Sequence, residues 1–288
     1  AEAMKAEEIP QQIRIVRKSV KEVYQEFCEN GRKDRAYRTK QKQDSLWNDH
    51  LCQKFGKRYV DEINSSEVND YLVALYCEQG YSYQYTESFL KMFYLIFGQA
   101  YSRNYLPVDL YNRLCVNKDT KIKMPKMKTE DDTAIVAFSR KELTLLDEYF
   151  RGTNAETAYL LGRYCGLRIN ETFALKWSNV DLTAGTITID RQMQYQDGLI
   201  KLVSPKTRNS IRTLALPQQV VDLLTEEHTK HPRNPYLFPS PKTGTMYDPD
   251  AFRRTHDKIL KAIGAEHIRF HDLRHTFATL SLKSGVDV

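Results

Sequence analysis

The chain has 288 residues, of which 41% are hydrophobic and 28% are charged; this composition is typical of a globular protein of about two domains and excludes a disordered one. The sequence holds no apolar run of about 18 residues, which excludes a membrane-spanning helix. Its five cysteines are widely spaced and form no CxxC pair, a pattern that disfavours a disulfide framework and a zinc site and favours a reducing cytosol.

The net charge of +6 is mild, but the cationic residues are concentrated in two stretches. Residues 32–42 (RKDRAYRTKQK) hold six cationic side chains and one acidic one, and residues 117–128 (NKDTKIKMPKMK) hold five and one. Polyanions respond to such local charge, so DNA or RNA is a candidate partner, and two solvated loops are the alternative. With one arginine further along the chain, the candidate phosphate contacts are Arg32, Lys33, Arg35, Arg38, Lys40, Lys42, Lys121, Lys123 and Arg208.

The first part of the chain is predicted to be helical. Apolar residues recur at steps of three and four residues, which predicts four or five packed helices across residues 10–116 and leaves residues 1–9 as an N-terminal remnant. The main helices are expected at about 13–30, 39–55, 65–75 and 82–104. Residues 117–134 break this periodicity, are rich in lysine and contain Pro125, and are therefore predicted to form an extended, solvated interdomain linker.

Residues 135–288 are predicted to mix helices with a small antiparallel sheet. Ser139 and Glu142 form a capping box that starts a helix reaching about residue 150. Alternating residues predict strands at 186–189, 199–203 and 211–216, with a turn at 204–209, as one three-stranded sheet. Further helices are expected at 155–164, 170–177, 218–229, 250–263 and 271–283.

Four groups in this second part can carry chemistry. Arg168 and Glu171 follow a helix that Gly166 can end, Lys206 lies in the turn, and His271 and Arg274 are three residues apart and share a helix face, with His275 beside them. Two guanidiniums, an ammonium and imidazoles suit displacement at the phosphorus of a phosphodiester, whose transition state spreads negative charge over oxygens. Each group alone also has a structural interpretation, as a helix cap, a solvated turn or a surface pair. No carboxylate cluster with metal-ligand spacing and no P-loop occurs, so neither a two-metal nuclease nor an ATP-driven enzyme is indicated.

The residues around these groups resemble a known family. YCGLRINETFALKWSNVDL, SPKTRNSIRTLALP and FHDLRHTFAT, in this order, are similar to the tyrosine recombinases, or phage-type integrases, and most similar to those of bacterial conjugative transposons and phages. The resemblance covers about 135–288, the catalytic domain. Residues 10–116 agree only in kind, as a helical module with the size of the family's core-binding, SAM-like domain.

The resemblance implies a site-specific DNA recombinase that integrates and excises a mobile element. Arg168 and Arg274 would hold the scissile phosphate, Lys206 would protonate the leaving 5′ oxygen and His271 would assist, with Glu171 and His275 as supports. A tyrosine would attack to form a 3′-phosphotyrosyl link, so that no metal or nucleotide cofactor is required. The implied partners are double-stranded DNA and three further protomers, in the bacterial cytoplasm at the nucleoid.

The nucleophile is not found among these residues. The family's pattern continues to a second histidine (or tryptophan) box and a tyrosine, whereas the last tyrosine here, Tyr247, precedes His271. We therefore expect a trimmed piece of a recombinase that forms no covalent adduct by itself. The alternative function is a DNA-binding fragment or decayed copy that cannot cut, and a helical transcription factor that uses the first domain alone is a third hypothesis.

Overall fold

The computed structural model describes residues 16–128, 137–153, 155–205, 210–230, 232–240, 242–264, 269–283 and 285. The chain divides into two compact units, Ala1–Asp132 and Thr133–Val288. Both are mainly helical, and the second also contains small antiparallel sheets, in agreement with the predicted fold class. Within the described ranges, no helix is long and apolar enough to cross a bilayer.

The first unit is a helical bundle. Its helices are α1 (Val20–Glu26), α2 (Tyr37–Leu46), α3 (Cys52–Phe55), α4 (Ser65–Val73), α5 (Tyr83–Ser102) and α6 (Val108–Tyr111). Wider, π-type turns continue four of the helical segments, at Phe27–Gly31, Trp47–Leu51, Ala74–Glu78 and Asn112–Val116. The long helix α5 lies at the centre because Phe89, Phe93, Ile96 and Phe97 fall on one face and are fully buried.

The first helix begins later than the apolar periodicity predicts. Val16 is 55% exposed and precedes the helix. The start is set by Ser19, whose hydroxyl accepts a hydrogen bond from the backbone N–H of Glu22 while the Glu22 carboxylate accepts one from the backbone N–H of Ser19. This reciprocal cap stabilises a helix that starts at Val20.

Residues 117–128 pack against the first unit, although the sequence predicts them to be part of a solvated linker. Ile122 is fully buried in the helical core, its N–H donates to the carbonyl of Leu114, and its own carbonyl accepts from the Tyr94 hydroxyl. The N–H of Lys128 donates to the Tyr76 hydroxyl at 2.7 Å. Burial of Ile122 and these hydrogen bonds together hold the segment to the bundle. The remaining residues of the predicted linker, 129–134, lie outside the described part of the chain.

The second unit surrounds its small sheets with helices. The helices are α7 (Arg140–Phe150), α8 (Glu156–Cys165), α9 (Ile169–Thr172), α10 (Gln218–Lys230), α11 (Pro249–Ala262) and α12 (Phe270–Lys283). The strands are β1 (Val180–Asp181), β2 (Thr186–Ile189), β3 (Gln192–Gln196), β4 (Leu199–Val203) and β5 (Arg212–Ala215). The predicted capping box at Ser139 and Glu142 opens α7.

The three predicted strands do not form one sheet. The strands β1, β2 and β5 pair antiparallel in the order β1-β2-β5, whereas β4 pairs with β3 and with no other strand of the described residues, as a separate hairpin. Asp197 and Gly198 both have positive φ values, 52° and 78°, and form the tight two-residue turn of that hairpin. The Asp-Gly pair is a strong hairpin signal that favours local pairing of β3 with β4.

The predicted helix over 170–177 is also wrong in extent. The helix α9 ends at Thr172, and the chain then forms a single 3₁₀ turn over Trp177–Asn179. The reason is a tertiary contact: the N–H of Trp177 donates to the carbonyl of Pro235, and Lys176 forms a β-bridge with Tyr236. Pairing with a distant segment thus ends the helix before its apolar pattern does.

The helices α8 and α12 cross closely, and the end of α8 depends on Gly166. This residue has a left-handed φ of 61°, and a Cβ there would lie 2.5 Å from Cδ1 of Phe277 on α12. We expect Gly166→Ala to lower the free energy of unfolding by about 1–3 kcal/mol for the backbone strain, with a further loss from the clash. Urea titration measures the change.

Gly152→Ala is the matched control for this prediction. Gly152 also has a left-handed φ, 73°, but a Cβ there would meet nothing within 4 Å. Gly152→Ala therefore introduces the backbone strain without the clash, and we expect it to lower the free energy of unfolding less than Gly166→Ala does. Equal losses would mean that Phe277 does not constrain the end of α8.

Candidate active site

Arg168 lies at the junction between α8 and α9, where two local contacts fix its position. Gly166 ends α8 and turns the chain, Leu167 is buried, and Arg168 occupies the N-cap position of α9. The backbone N–H of Arg168 donates to Oε2 of Glu171 at 3.1 Å, and its Nη1 donates to Oε1 at 2.7 Å. The Arg168 side chain is still 43% exposed, so its guanidinium is anchored at one side and open at the other.

Glu171 is the buried anion of the site. Its side chain is 2% exposed and contacts two arginines, Arg168 and Arg212. Burial favours the protonated form, but hydrogen bonds from Arg212 and from the backbone and side chain of Arg168 outweigh it and hold the pKa of Glu171 below its ordinary value. The carboxylate is therefore ionised at neutral pH and orients both guanidiniums.

Arg274 comes from α12 and is tied to the end of α8. Its Nη1 donates to the carbonyl of Gly166 at 2.6 Å, which brings this side chain beside the α8–α9 junction. Partial burial lowers the pKa of Arg274, and the cationic Arg168 and Arg212 lower it further, while Glu171 opposes them. The structure thus brings together two cations from segments more than 100 residues apart, and an incoming anion would relieve their repulsion.

His271 precedes Arg274 by nearly one helical turn and faces the same region. Partial burial lowers the pKa of His271, and His275, Arg168 and Arg274 lower it further. The His271 and His275 rings lie edge to face with centroids 4.9 Å apart. Arg168 and His271 both line a cavity of about 430 Å³. At neutral pH the imidazole is therefore uncharged in a strongly cationic environment.

This arrangement suits a tetrahedral anion. Arginine forks form paired hydrogen bonds to phosphate oxygens, and preorganised cations in a partly closed cleft stabilise charge that develops during displacement at phosphorus. The neutral His271 can accept or relay a proton beside them. Among the described residues, no group of three or more histidine, cysteine or acidic side chains is arranged to hold a metal ion.

Two of the predicted site residues, Lys206 and Arg208, lie outside the described residues. The remaining candidate DNA contacts differ in their exposure and in whether they already have a partner within the protein. Arg32 is 11% exposed and ion-paired with Asp44 at 2.7 Å, so its first role is to hold the helical bundle. Lys40 donates to the carbonyl of Lys33, and Lys42 donates to the Ser88 hydroxyl at 2.7 Å. The side chains of Lys33, Arg35, Arg38 and Lys123 are exposed, and Lys121 is half-buried.

Arg212 is the residue of the site that the sequence analysis does not identify. It lies on β5, where Arg212 and Leu214 alternate with the exposed Thr213 and Ala215. An arginine on the inward face of a strand requires a buried partner, because an unpaired charge there is costly. That alternation was the available signal, and only the fold shows that the partner is Glu171.

Comparison with known proteins gives the family. Residues 151–288 match the model of the phage integrase family. A tyrosine recombinase XerC-like protein of Caldanaerobacter subterraneus is 27% identical over 251 residues, which cover 79% of this chain and 62% of that protein. The ICEBs1 integrase of Bacillus subtilis is 25% identical over 279 residues, covering 92% of this chain and 71% of the relative. The chain thus spans about two thirds of the length of these relatives.

Solved structures agree on the fold. The integrase of transposon Tn1549, determined in complex with a circular intermediate DNA, superimposes with a TM-score of 0.77 at 16% identity and covers 93% of this chain and 88% of that one. A lambda integrase tetramer bound to a Holliday junction gives a TM-score of 0.62 at 12% identity, covering 93% and 73%. Together with the cluster around Arg168 and Arg274, the family-model match and the curated relatives make this chain a relative of the tyrosine recombinases, with residues 151–288 similar to the phage integrase family.

Proposed function

We propose that the protein is a site-specific DNA recombinase that integrates and excises a mobile element. The observation that carries this proposal is the meeting of Arg168 and Arg274 beside His271, with Glu171 ionised beneath them, in a domain of the phage integrase family. The ICEBs1 integrase among the relatives and the Tn1549 integrase determined with a circular intermediate DNA support it.

The proposed reaction is a transesterification at one backbone phosphorus. A tyrosine hydroxyl gives up its proton, with the neutral His271 as the acceptor, while its oxygen attacks the phosphorus. A 3′-phosphotyrosyl bond forms, and the bond to the 5′ oxygen breaks as that oxygen takes up a proton. Arg168 and Arg274 would hold the non-bridging oxygens. Lys206 would donate the proton to the leaving oxygen, an assignment that rests on the sequence alone, and His271 would assist the transfer. Because one phosphoester replaces another, the exchange consumes no nucleotide.

The supporting groups follow from the contacts. Glu171 would keep Arg168 oriented through the Nη1 hydrogen bond, and His275 would limit the movement of the His271 ring. The arrival of a phosphate would raise the pKa of His271, because the anion offsets the cations that lower it. Proton transfer and substrate binding would thus be coupled at His271.

Duplex DNA is the proposed partner, and the basic side chains of the first unit would contact its phosphates. Lys33 and Arg38 are exposed. Each phosphate neutralised changes the slope of log affinity against log salt by about 0.9. We therefore expect the double variant Lys33→Ala and Arg38→Ala to make this slope shallower by about 1.8, measured by fluorescence anisotropy with a random-sequence duplex.

Lys57→Ala is the control for the salt experiment. Lys57 is an exposed lysine of the same unit outside both basic stretches, so its loss removes a charge without removing a proposed contact. An unchanged slope in the double variant, or an equal change in the control, would show that these side chains contribute only to overall charge.

Adduct formation tests the proposed enzyme directly. A duplex selected for binding from a random library is nicked near its centre, so that attack releases a short strand and traps the covalent intermediate. We expect an adduct that resists denaturation with the full-length product of the gene. Binding without an adduct would contradict the recombinase proposal.

A second candidate function, DNA binding without cleavage, has its own supporting observation. Tyr247 stacks on Phe173 and lines a different cavity from Arg168 and His271, and no tyrosine is among the described residues that line the cavity those two share. For the 288-residue chain by itself we expect binding and no adduct.

Assembly of four protomers on DNA, in the bacterial cytoplasm at the nucleoid, is part of the first proposal, and the lambda integrase tetramer supports the assembly.

A further inference from the structure

We propose that Arg212 is a positioning residue for DNA cleavage: by holding both oxygens of Glu171, it leaves the Arg168 guanidinium free to bind the scissile phosphate. This inference rests on the proposed function. It assigns a role in the reaction to a strand residue that does not itself have to touch the DNA.

The contacts form a continuous chain from β5 to the site. Arg212 Nη2 donates to Oε2 of Glu171 at 2.9 Å, and its Nη1 donates to Oε1 at 3.4 Å. The same Nη1 donates to the carbonyl of Ser210 at 3.1 Å, which fixes the guanidinium relative to its own strand. Glu171 Oε1 in turn accepts from Arg168 Nη1 at 2.7 Å.

The two arginines share Glu171 unequally. Arg212 has a side chain that is 21% exposed and contacts both carboxylate oxygens, whereas Arg168 is 43% exposed and contacts Oε1 through one side-chain nitrogen. Arg168 therefore keeps donors directed away from the carboxylate. A guanidinium has five N–H donors in a planar fork, and paired recognition of a phosphate needs two of them on one edge.

Without Arg212, the buried Glu171 carboxylate can respond in two ways, and both would disturb phosphate binding by Arg168. Glu171 can draw the Arg168 guanidinium into a two-pronged pair, which removes donors from the phosphate. Alternatively, Glu171 can take up a proton, because burial raises its pKa and the Arg212 hydrogen bond no longer lowers it. The neutral carboxyl would then no longer hold Arg168 by an ion pair. Either outcome disturbs the orientation of Arg168 without removing a group that contacts DNA.

Arg212→Met tests the inference, with Arg212→Lys as a conservative partner. In the full-length gene product, we expect Arg212→Met to slow adduct formation at saturating DNA by about 10- to 100-fold. The DNA dissociation constant should change less than about threefold, since a misplaced donor affects the transition state more than binding. The carbon-13 signal of the Glu171 carboxyl should titrate at a higher pKa than in the wild-type protein. Arg212→Lys keeps the positive charge but not the planar fork of donors. It should therefore partly restore both the rate of adduct formation and the low pKa of Glu171.

Arg163→Met is the matched control. Arg163 is also a shielded arginine of the second unit, 16% exposed and ion-paired with Asp147 at 2.9 Å. Its replacement should lower stability but leave both the Glu171 titration and the cleavage rate unchanged. If Arg212→Met affects stability alone, with the Glu171 pKa and the rate as in the wild-type protein, Arg212 is a structural residue and the inference is wrong.

The two readouts separate this inference from the proposed function. If the full-length wild-type gene product binds the duplex and forms no adduct, the recombinase proposal is contradicted, and the Glu171 titration still decides whether Arg212 controls the carboxylate. A wild-type protein that cleaves, with Arg212→Met equally fast, contradicts the positioning role alone. If Arg212→Met does not fold, Arg212→Lys supplies both measurements.

Discussion

Replacement of Arg168 by lysine is expected to slow adduct formation at saturating DNA by about 100- to 1,000-fold, the cost of losing one preorganised donor to a charged transition state. Lysine keeps the positive charge but has no planar fork, so it cannot hold two phosphate oxygens while it also contacts Glu171. Binding of the duplex should change by less than about fivefold, because contacts to many other phosphates provide most of the affinity. Single-turnover adduct formation with the full-length gene product gives the rate, and fluorescence anisotropy gives the affinity.

Arg163→Lys is the control for this substitution, since Arg163 has the same side chain in the same unit and pairs with Asp147. It should cleave as the wild-type protein does. If Arg168→Lys weakened binding as much as cleavage, Arg168 would be a residue of the DNA interface or of the fold. If cleavage were unchanged, the assignment of the phosphate site would be wrong.

The parts of the site that depend on local sequence could be predicted from it. Gly166 ends α8 with a left-handed residue, and Arg168 and Glu171 are then close enough to bond across one turn of α9. His271 and Arg274 share a helix face for the same local reason. That these two segments meet at the Gly166 carbonyl required the fold, because the Arg274 hydrogen bond joins residues that are 108 positions apart.

The elements that the sequence analysis misplaced are those decided by distant partners. The helix α9 ends early because Trp177 bonds to Pro235, and β4 leaves the predicted sheet because β3 pairs with it across the turn at Asp197 and Gly198. Arg212 was missed for the same reason, since its partner Glu171 lies 41 residues away. Helices with a strong apolar period, such as α5 and α11, were placed to within a few residues because burial of one face decides them.

Replacement of Glu171 by glutamine should have the largest effect on stability, because it removes the buried anion from a cluster of guanidiniums. Arg168 and Arg212 lose their ionic partner, and Arg274 loses a carboxylate that raises its pKa against the effect of the two neighbouring arginines. The glutamine oxygen can still accept one hydrogen bond, so we expect a loss of about 2–4 kcal/mol, somewhat below the usual cost of breaking a buried ion pair. Urea unfolding of the second unit at pH 7 measures it.

The pH dependence distinguishes lost charge from lost packing. Because the folded state lowers the pKa of Glu171, its contribution is complete above the ordinary glutamate pKa of about 4.3 and disappears as the pH falls through the lower, folded value. The stability gap between the wild-type protein and Glu171→Gln should therefore be constant from pH 7 to about 5 and should narrow in more acid solution. Glu148→Gln, at an exposed position on α7, should stay within about 0.5 kcal/mol of the wild-type protein throughout. A gap that persists unchanged in acid would mean that the glutamine disturbs packing, and that the Glu171 charge does not hold the arginines in place.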